Sequence, residues 1–368
     1  MLLGYKLGPY LNVIIPRFKQ FCAISGDTEN PDADLDHEIV EVCLNSFESF
    51  IRKCPKEMTE FVSDLLNLSS ELLCYDPNYS YDDADLEEMQ DPDGEWDSDD
   101  WGNSQHELSD DSSWKVRRAS IRVIDAIAKC RPEMLSHLYD QIVKKLVERF
   151  KEREENVKSD IFSTFSNIVR CAVIGDTSQS ETLEMEMPVL IRTRSSTDVL
   201  GEQIPVIIKA LLEQIDNKSL KIKASVVNVF LNLAFVLPGA LQKYFGEIFP
   251  KLTNNFDQQN SSLKIDILII LKRLMRTSMV PQIFLPYAAD LVKLLLFTIN
   301  DDYYKVCAES LRTTSAFFRV LRIDTNKPLD PKFQPYLNEF YDVIHGRLKT
   351  NDIDHEVNLI QIFSHFSS

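Results

Sequence analysis

One mark recurs along this 368-residue chain at intervals close to forty-one residues. It is a β-branched residue in polar or charged company at the head of an amphipathic stretch. The marks are Glu38-Ile39, Lys115-Val116-Arg117, Asn156-Val157-Lys158, Lys221-Ile222-Lys223, Lys264-Ile265-Asp266, Lys305-Val306 and Glu356-Val357. Val116 and Val157 lie 41 residues apart, Ile222 and Ile265 43, and Ile265 and Val306 41. The other gaps are longer. Ile39 to Val116 takes 77 residues across a strongly acidic stretch, Val157 to Ile222 takes 65 across the polar stretch 175–200, and Val306 to Val357 takes 51 across the connection 324–331. A period in this range belongs to stacked supersecondary units, each too small to bury its apolar face alone.

Each unit reads as two helices. After Val116, residues Ile121, Val123, Ile124 and Ile127 keep helical spacing, and after Ile222 the same face is Val226, Val229, Phe230, Leu233 and Ala234. The helix before carries an apolar-Pro step and then an apolar run, at Ile15-Pro16, Ile204-Pro205, Phe249-Pro250 and Leu285-Pro286. Such prolines are expected in the first helical turn, where the missing N–H has no intrahelical partner to lose. The fold class that follows is all-α, a HEAT/armadillo-type α-α superhelix of about seven helical pairs with a groove along it. The expected organisation is first repeats over 1–75, an acidic disordered loop over 76–113, repeats over 114–174, a polar insertion over 175–200 and repeats over 201–368. The chain opens inside a first-helix pattern (8–21) and closes inside a second-helix pattern (356–366), as a piece of a longer solenoid would.

The formal charge of −17 is concentrated. Between Asp76 and Asp111 stand fifteen Asp and Glu and no Lys or Arg, so the remainder is close to neutral. Single-sign charge with few aliphatics predicts a disordered loop, its acidic surface carried by Asp82, Asp83, Asp85, Asp97, Asp99, Asp100, Asp110 and Asp111. Directly after it, residues 115–158 hold twelve Lys and Arg against seven acids. That stripe is a candidate docking site for the loop, or for a partner with which the loop competes. Ser98, Ser104, Ser109, Ser112 and Ser113 lie near acids as candidate phosphorylation sites.

Motifs for chemistry are missing. The sequence contains no G-x-x-x-x-G-K-[ST], G-x-G-x-x-G, G-x-S-x-G or H-E-x-x-H, and its six histidines are scattered. Seven cysteines show neither C-x-x-C pairing nor metal-ligand spacing and read as buried thiols of a reducing compartment. No run approaches the ~18 continuous apolar residues of a membrane span. The basic stripe lacks the interleaved aromatics of a nucleic-acid site. No catalytic residue, cofactor or metal is expected, no nucleic-acid or membrane partner, and the expected location is cytoplasm and nucleus.

Six stretches, in order, carry a more specific resemblance: FESFIRKCPKE at 47–57, YDPNYSYDD at 75–83, SWKVRRA at 113–119, RFKEREENVK at 149–158, LPGAL at 237–241 and SSLKID at 261–266. Together they resemble the cullin-associated, neddylation-dissociated family (TBP-interacting proteins), which has an acidic insert in the same place. Trp96 and Trp101 interrupt the insert, and 171–203 departs from the family, so nothing is carried onto that stretch. The resemblance implies the N-terminal-to-middle part of a solenoid that wraps a cullin–RING scaffold lacking its ubiquitin-like modifier, near the cullin C-terminal domain and RING subunit. It also implies a role in substrate-receptor exchange and ligase assembly. Second-helix starts and adjacent turns become the candidate partner contacts: Lys115, Arg117, Arg118, Lys151, Arg153, Lys158, Lys221, Lys223, Lys264 and Lys305. The alternative is a HEAT-built nuclear transport receptor of the importin-β type.

Overall fold

The structure, a computed structural model, describes residues 4–23, 35–76, 112–183, 196–256, 260–278, 280–322 and 330–348. Every regular element among them is helical. The acidic residues singled out above (Asp82, Asp83, Asp85, Asp97, Asp99, Asp100, Asp110 and Asp111) lie outside the described residues, as does the repeat mark at Val357. The chain divides into two compact units, Met1–Met134 with Glu152–Asp160, and Leu135–Lys151 with Ile161–Ser368.

In the first unit a 3-10 turn, Gly4–Tyr10, leads into α1 (Leu11–Phe21), followed by α2 (His37–Lys53), α3 (Val62–Leu72) and α4 (Ser113–Cys130). Asp36 starts α2 by accepting the N–H groups of Glu38 and Ile39 at 3.0 and 3.1 Å, satisfying two donors that have no partner inside the helix. α1 packs on α2, and α4 packs on both α2 and α3. The core between them is largely aliphatic: Ile15, Leu44, Ile51, Leu65, Val116, Ile121 and Ile124, with Phe47 among them, are all fully buried. α3 and α4 form one hairpin although residues 77–111 separate them, so the repeat closes across the acidic stretch.

The second unit holds a π-helical turn Leu138–Ile142, α5 (Val143–Glu148), α6 (Glu155–Leu183, its first residues grouped with the first unit), α7 (Ser196–Gln214), α8 (Leu220–Val236), α9 (Pro238–Gln242), α10 (Phe245–Asn254), α11 (Ser261–Arg276), α12 (Ala288–Ile299), α13 (Tyr304–Leu321) and α14 (Gln334–Leu348). Second helices of successive pairs stack, α8 on α11 and α11 on α13, with α12 packed against α13. Ser219 caps α8 and Asn260 caps α11 through their side chains. Aromatic clusters fill the layers: Phe150 meets Phe162 at 4.6 Å between centroids, and Phe245 meets Phe284 at 4.6 Å. Gly246 lies so close to the Tyr287 hydroxyl that a Cβ there would collide with it. This is the HEAT/armadillo-type all-α repeat fold.

Two expectations need correction. Pro16, Pro205 and Pro250 lie inside α1, α7 and α10 rather than in their first turns, each removing an N–H from the helical ladder, and Pro286 sits in a 3-10 turn Pro281–Tyr287. The repeat frame slips at two marks. Ile39 is 43% exposed while Val40 is buried, and Ile265 is half-buried while Leu263 is buried. As third residue of α11, Leu263 matches Val157 in α6, Ile222 in α8 and Val306 in α13, all buried. The polar stretch 175–200 is helical at its described ends, because α6 runs to Leu183 and α7 begins at Ser196.

Pro281–Ile299 is apolar and long enough to cross a membrane by length and composition. It is a 3-10 turn followed by α12, with Asp290 and Lys293 exposed and Leu291, Leu295 and Ile299 buried. Of the seven cysteines expected to be buried, Cys22, Cys43, Cys54 and Cys307 are, and burial pushes the Cys22 thiol up to about 12; Cys74 is exposed and Cys130 and Cys171 are half-buried.

The corrected frame has a consequence for stability. Leu263→Ala should cost about 2–5 kcal/mol, as loss of a buried leucine does, and Ile39→Ala should stay within about 0.5 kcal/mol. Urea unfolding of both variants checks the ranking.

Candidate partner-binding surface

Stacked helices bring the turn of one repeat beside the turn of the next, and charged side chains bridge the step. Arg118 Nε donates to Asp160 Oδ2 at 2.8 Å, 42 residues on, and Lys264 Nζ to Asp301 Oδ2 at 2.6 Å, 37 residues on. Lys272 pairs with Glu309 37 residues on, and Lys251 with Asp216 35 residues back. Lys264 is 4% exposed, so its pair is desolvated and held in one geometry.

The most buried rung is Arg117, which is fully buried. Its Nε and Nη2 donate to the two oxygens of Glu152 at 3.1 and 3.3 Å. Nη1 donates to Ser113 Oγ at 2.9 Å and to the Tyr75 carbonyl at 3.1 Å, with Asp76 Oδ1 at 3.6 Å. The planar guanidinium thereby meets a carboxylate with two parallel bonds, a geometry Lys could not reproduce. Glu152 also accepts the N–H groups of Arg153 and Glu154 at 2.9 and 3.2 Å, shaping the entry to α6. Arg153 Nη2 reaches Asp76 Oδ1 at 2.7 Å. His37 is bonded through Nδ1 to Ser112 Oγ at 2.8 Å and through Nε2 to Tyr75 Oη at 3.1 Å. Both described ends of the acidic stretch, Tyr75-Asp76 and Ser112-Ser113, are thus tied to the repeats.

A sequence profile described as "CAND1-like, TPR repeats" matches residues 239–364. A "Cullin-associated NEDD8-dissociated protein 1" from Arabidopsis thaliana is 32% identical over 359 residues, covering 96% of this chain and 28% of that protein. A "Cullin-associated NEDD8-dissociated protein 2" from Mus musculus is 33% identical over 358 residues, covering 96% and 27%. The chain resembles the cullin-associated NEDD8-dissociated proteins over nearly its whole length. It spans little more than a quarter of theirs. Among solved structures, a Kap121p mutant superposes with a TM-score of 0.54 at 13% identity, over 98% of this chain and 29% of that one. A designed armadillo repeat protein in complex with a (KR)4 peptide gives 0.51 at 15%, over 70% and 95%. At such identities both likenesses speak to the fold alone.

Against the cullin-associated resemblance, the ten expected contact residues separate into two groups. Arg117 and Lys264 are buried rungs, not surface. Arg118, half-buried, is the rung to Asp160, and Arg153, exposed, holds Asp76. Lys115 and Lys158 are half-buried, and burial pushes the Lys158 ammonium down against the opposing pull of Glu152. Lys151 is exposed and bridges to Glu213 at 3.5 Å. Lys221 and Lys305 are exposed and Lys223 half-buried, at the starts of α8 and α13. The structure therefore gathers Arg117, Arg118, Arg153 and Lys158 around one corner of the first unit, and spreads Lys221, Lys223 and Lys305 along the turns of the second. Residues that sequence reasoning passed over are the exposed apolar ones on the same turns, Leu220, Phe297, Tyr303 and Tyr304. The one available signal was the Tyr303-Tyr304 pair directly before Lys305, outside the apolar periodicity of its helix.

Removing one member of a desolvated pair leaves the other uncompensated. Arg117→Ala should cost about 3–5 kcal/mol, and the double replacement Arg117→Met with Glu152→Met should recover most of it; denaturant melts of wild type, single and double variants make the comparison. Asp216 offers a weaker, pH-dependent case. Hydrogen bonds from Lys251 first, and then from Asn255, hold its carboxyl below the usual carboxylate range. A depressed folded value means the contribution is present above the ordinary value and lost as pH falls through the folded one. Asp216→Asn should therefore lower stability slightly at pH 7 and leave it unchanged at the acid end, the difference staying small because both partners are exposed.

Proposed function

We propose that this chain is a non-catalytic regulatory scaffold that binds a cullin–RING ubiquitin ligase lacking its ubiquitin-like modifier, through the cullin C-terminal domain and the RING subunit. The observation that carries this reading is the identity of 32% over 96% of the chain to proteins named for association with cullins and dissociation from NEDD8. On this reading the repeats act by area: many modest contacts from successive turns sum to a slowly dissociating complex, with no bond made or broken by the scaffold. The charged rungs keep neighbouring turns in register, so that a partner spanning several repeats meets a pre-set surface. Promotion of substrate-receptor exchange and ligase assembly, in cytoplasm and nucleus, is the activity assigned to it.

The test is co-purification of the tagged chain with a cullin–RING complex in its unmodified and NEDD8-modified forms. Recovery of the unmodified form alone is the expected result. Equal recovery of both forms, or of neither, would overturn the assignment.

A further inference from the structure

The turn between Ile299 and Tyr304 is held from both sides by side chains of other helices. Asp301 receives the Lys264 ammonium at 2.6 Å on one carboxylate oxygen and accepts the Tyr303 N–H at 2.9 Å on the other. Arg347 donates from Nε to the Ile299 carbonyl at 3.1 Å and from Nη2 to the Asp301 carbonyl at 2.8 Å. These bonds anchor a backbone that displays two exposed tyrosines, Tyr303 at 38% and Tyr304 at 41%, with rings edge-to-face at 5.4 Å. Phe297 is 49% exposed one helical turn earlier and meets the half-buried Phe256 of the preceding turn at 6.5 Å. Leu220, 43% exposed, starts the second helix one repeat further back. Of three consecutive turns, the first and third thus carry exposed apolar side chains, and the middle one the half-buried Phe256.

Lysines outnumber the unengaged acids around them. Lys218, Lys221 and Lys305 are exposed on the same turns, while the acids there are largely engaged, Asp216 by Lys251 and Asn255 and Asp301 by Lys264. Asp302 is an exposed acid among them. The Tyr303 and Tyr304 hydroxyls hold the proton of Lys305 more firmly than usual. A rigid tyrosine pair beside lysines has the makings of a binding hot spot: large apolar area at low ordering cost, with orientation set by charge.

We propose that the turn edge formed by Leu220, Phe297, Tyr303 and Tyr304, with Lys218, Lys221 and Lys305, is a docking strip for an acidic protein segment carrying apolar side chains. The proposal rests on the reading of the chain as a holder of protein partners, and adds the chemistry of the segment held. An anionic bilayer fits less well, because it presents a broad negative surface to a chain whose own net charge is −17. Nucleic acid fits less well for want of lysines to match its phosphates, and Leu220 offers no stacking surface.

The experiment is fluorescence anisotropy of the full chain with a labelled 16-residue peptide of Asp, Glu, Leu and Phe, beside an equal-length Lys, Leu and Phe peptide, phosphatidylserine vesicles and oligouridylate. Saturable binding of the acidic peptide, weakening with salt, is expected. The triple variant Tyr303→Ser, Tyr304→Ser, Lys305→Glu should weaken it at least tenfold with an unchanged circular-dichroism melt, and Asp302→Lys should tighten it severalfold. Equal binding of the triple variant, preference for the lysine peptide, or a response of these variants to vesicles or RNA in place of the peptide would overturn the proposal. Cullin co-purification of the same variants is read separately: recovery of cullin without peptide binding removes the strip and leaves the scaffold reading standing, and peptide binding without cullin recovery does the reverse.

Discussion

A helical hairpin of some forty residues has more apolar surface than it can cover by itself, and in this chain that deficit organises everything else. Its second helix must lie against the second helix of the next hairpin, as α8, α11 and α13 do in succession. Once helices stack in that way their starts fall beside one another, and cations placed there find carboxylates one repeat away. Arg117 with Glu152, Arg118 with Asp160 and Lys264 with Asp301 are consequences of the stacking before they are anything functional. The net energy of such pairs is modest, since desolvation opposes attraction. What they contribute is register: a lysine matched to one aspartate disfavours neighbouring alignments of two otherwise smooth apolar faces.

Much of the fold was legible in the sequence because stacking leaves a periodic trace. Val116, Val157, Ile222 and Val306 were picked by spacing, and each is buried near the start of its helix. The frame failed where two apolar residues compete for one slot. Val40 displaces Ile39, and Leu263 displaces Ile265, because the helix starts at Asp36 and Asn260 decide which residue faces inward. The prolines misled for a related reason. An apolar-Pro step marks the first helix of a pair, but no local rule says how many residues precede it, and at Pro205 nine helical residues do.

The candidate surface was less legible. Basic residues at helix starts were expected to face a partner, and several face the protein instead. Arg117 is alike in sequence surroundings to Lys221 and Lys305, yet it is buried and they are exposed. Arg117 and Arg118 are drawn in by acids one repeat away, a tertiary fact at separations of 35 and 42 residues. The exposed tyrosines were overlooked because periodicity searches look for apolar residues that point inward, and these do not.

The anchoring of Tyr75-Asp76 and Ser112-Ser113 bears on how such a chain can change. With both stems of the excursion fastened to α2, α4 and the entry to α6, the intervening residues begin and end at fixed points that do not depend on what lies between. Closing a loop between fixed ends costs only logarithmically more as it lengthens, about 0.6 kcal/mol per doubling. Insertions, deletions and wholesale replacement there would leave the hairpin across the gap intact. That corner of the array is a site where evolution, or an engineer, can append sequence without renegotiating the core.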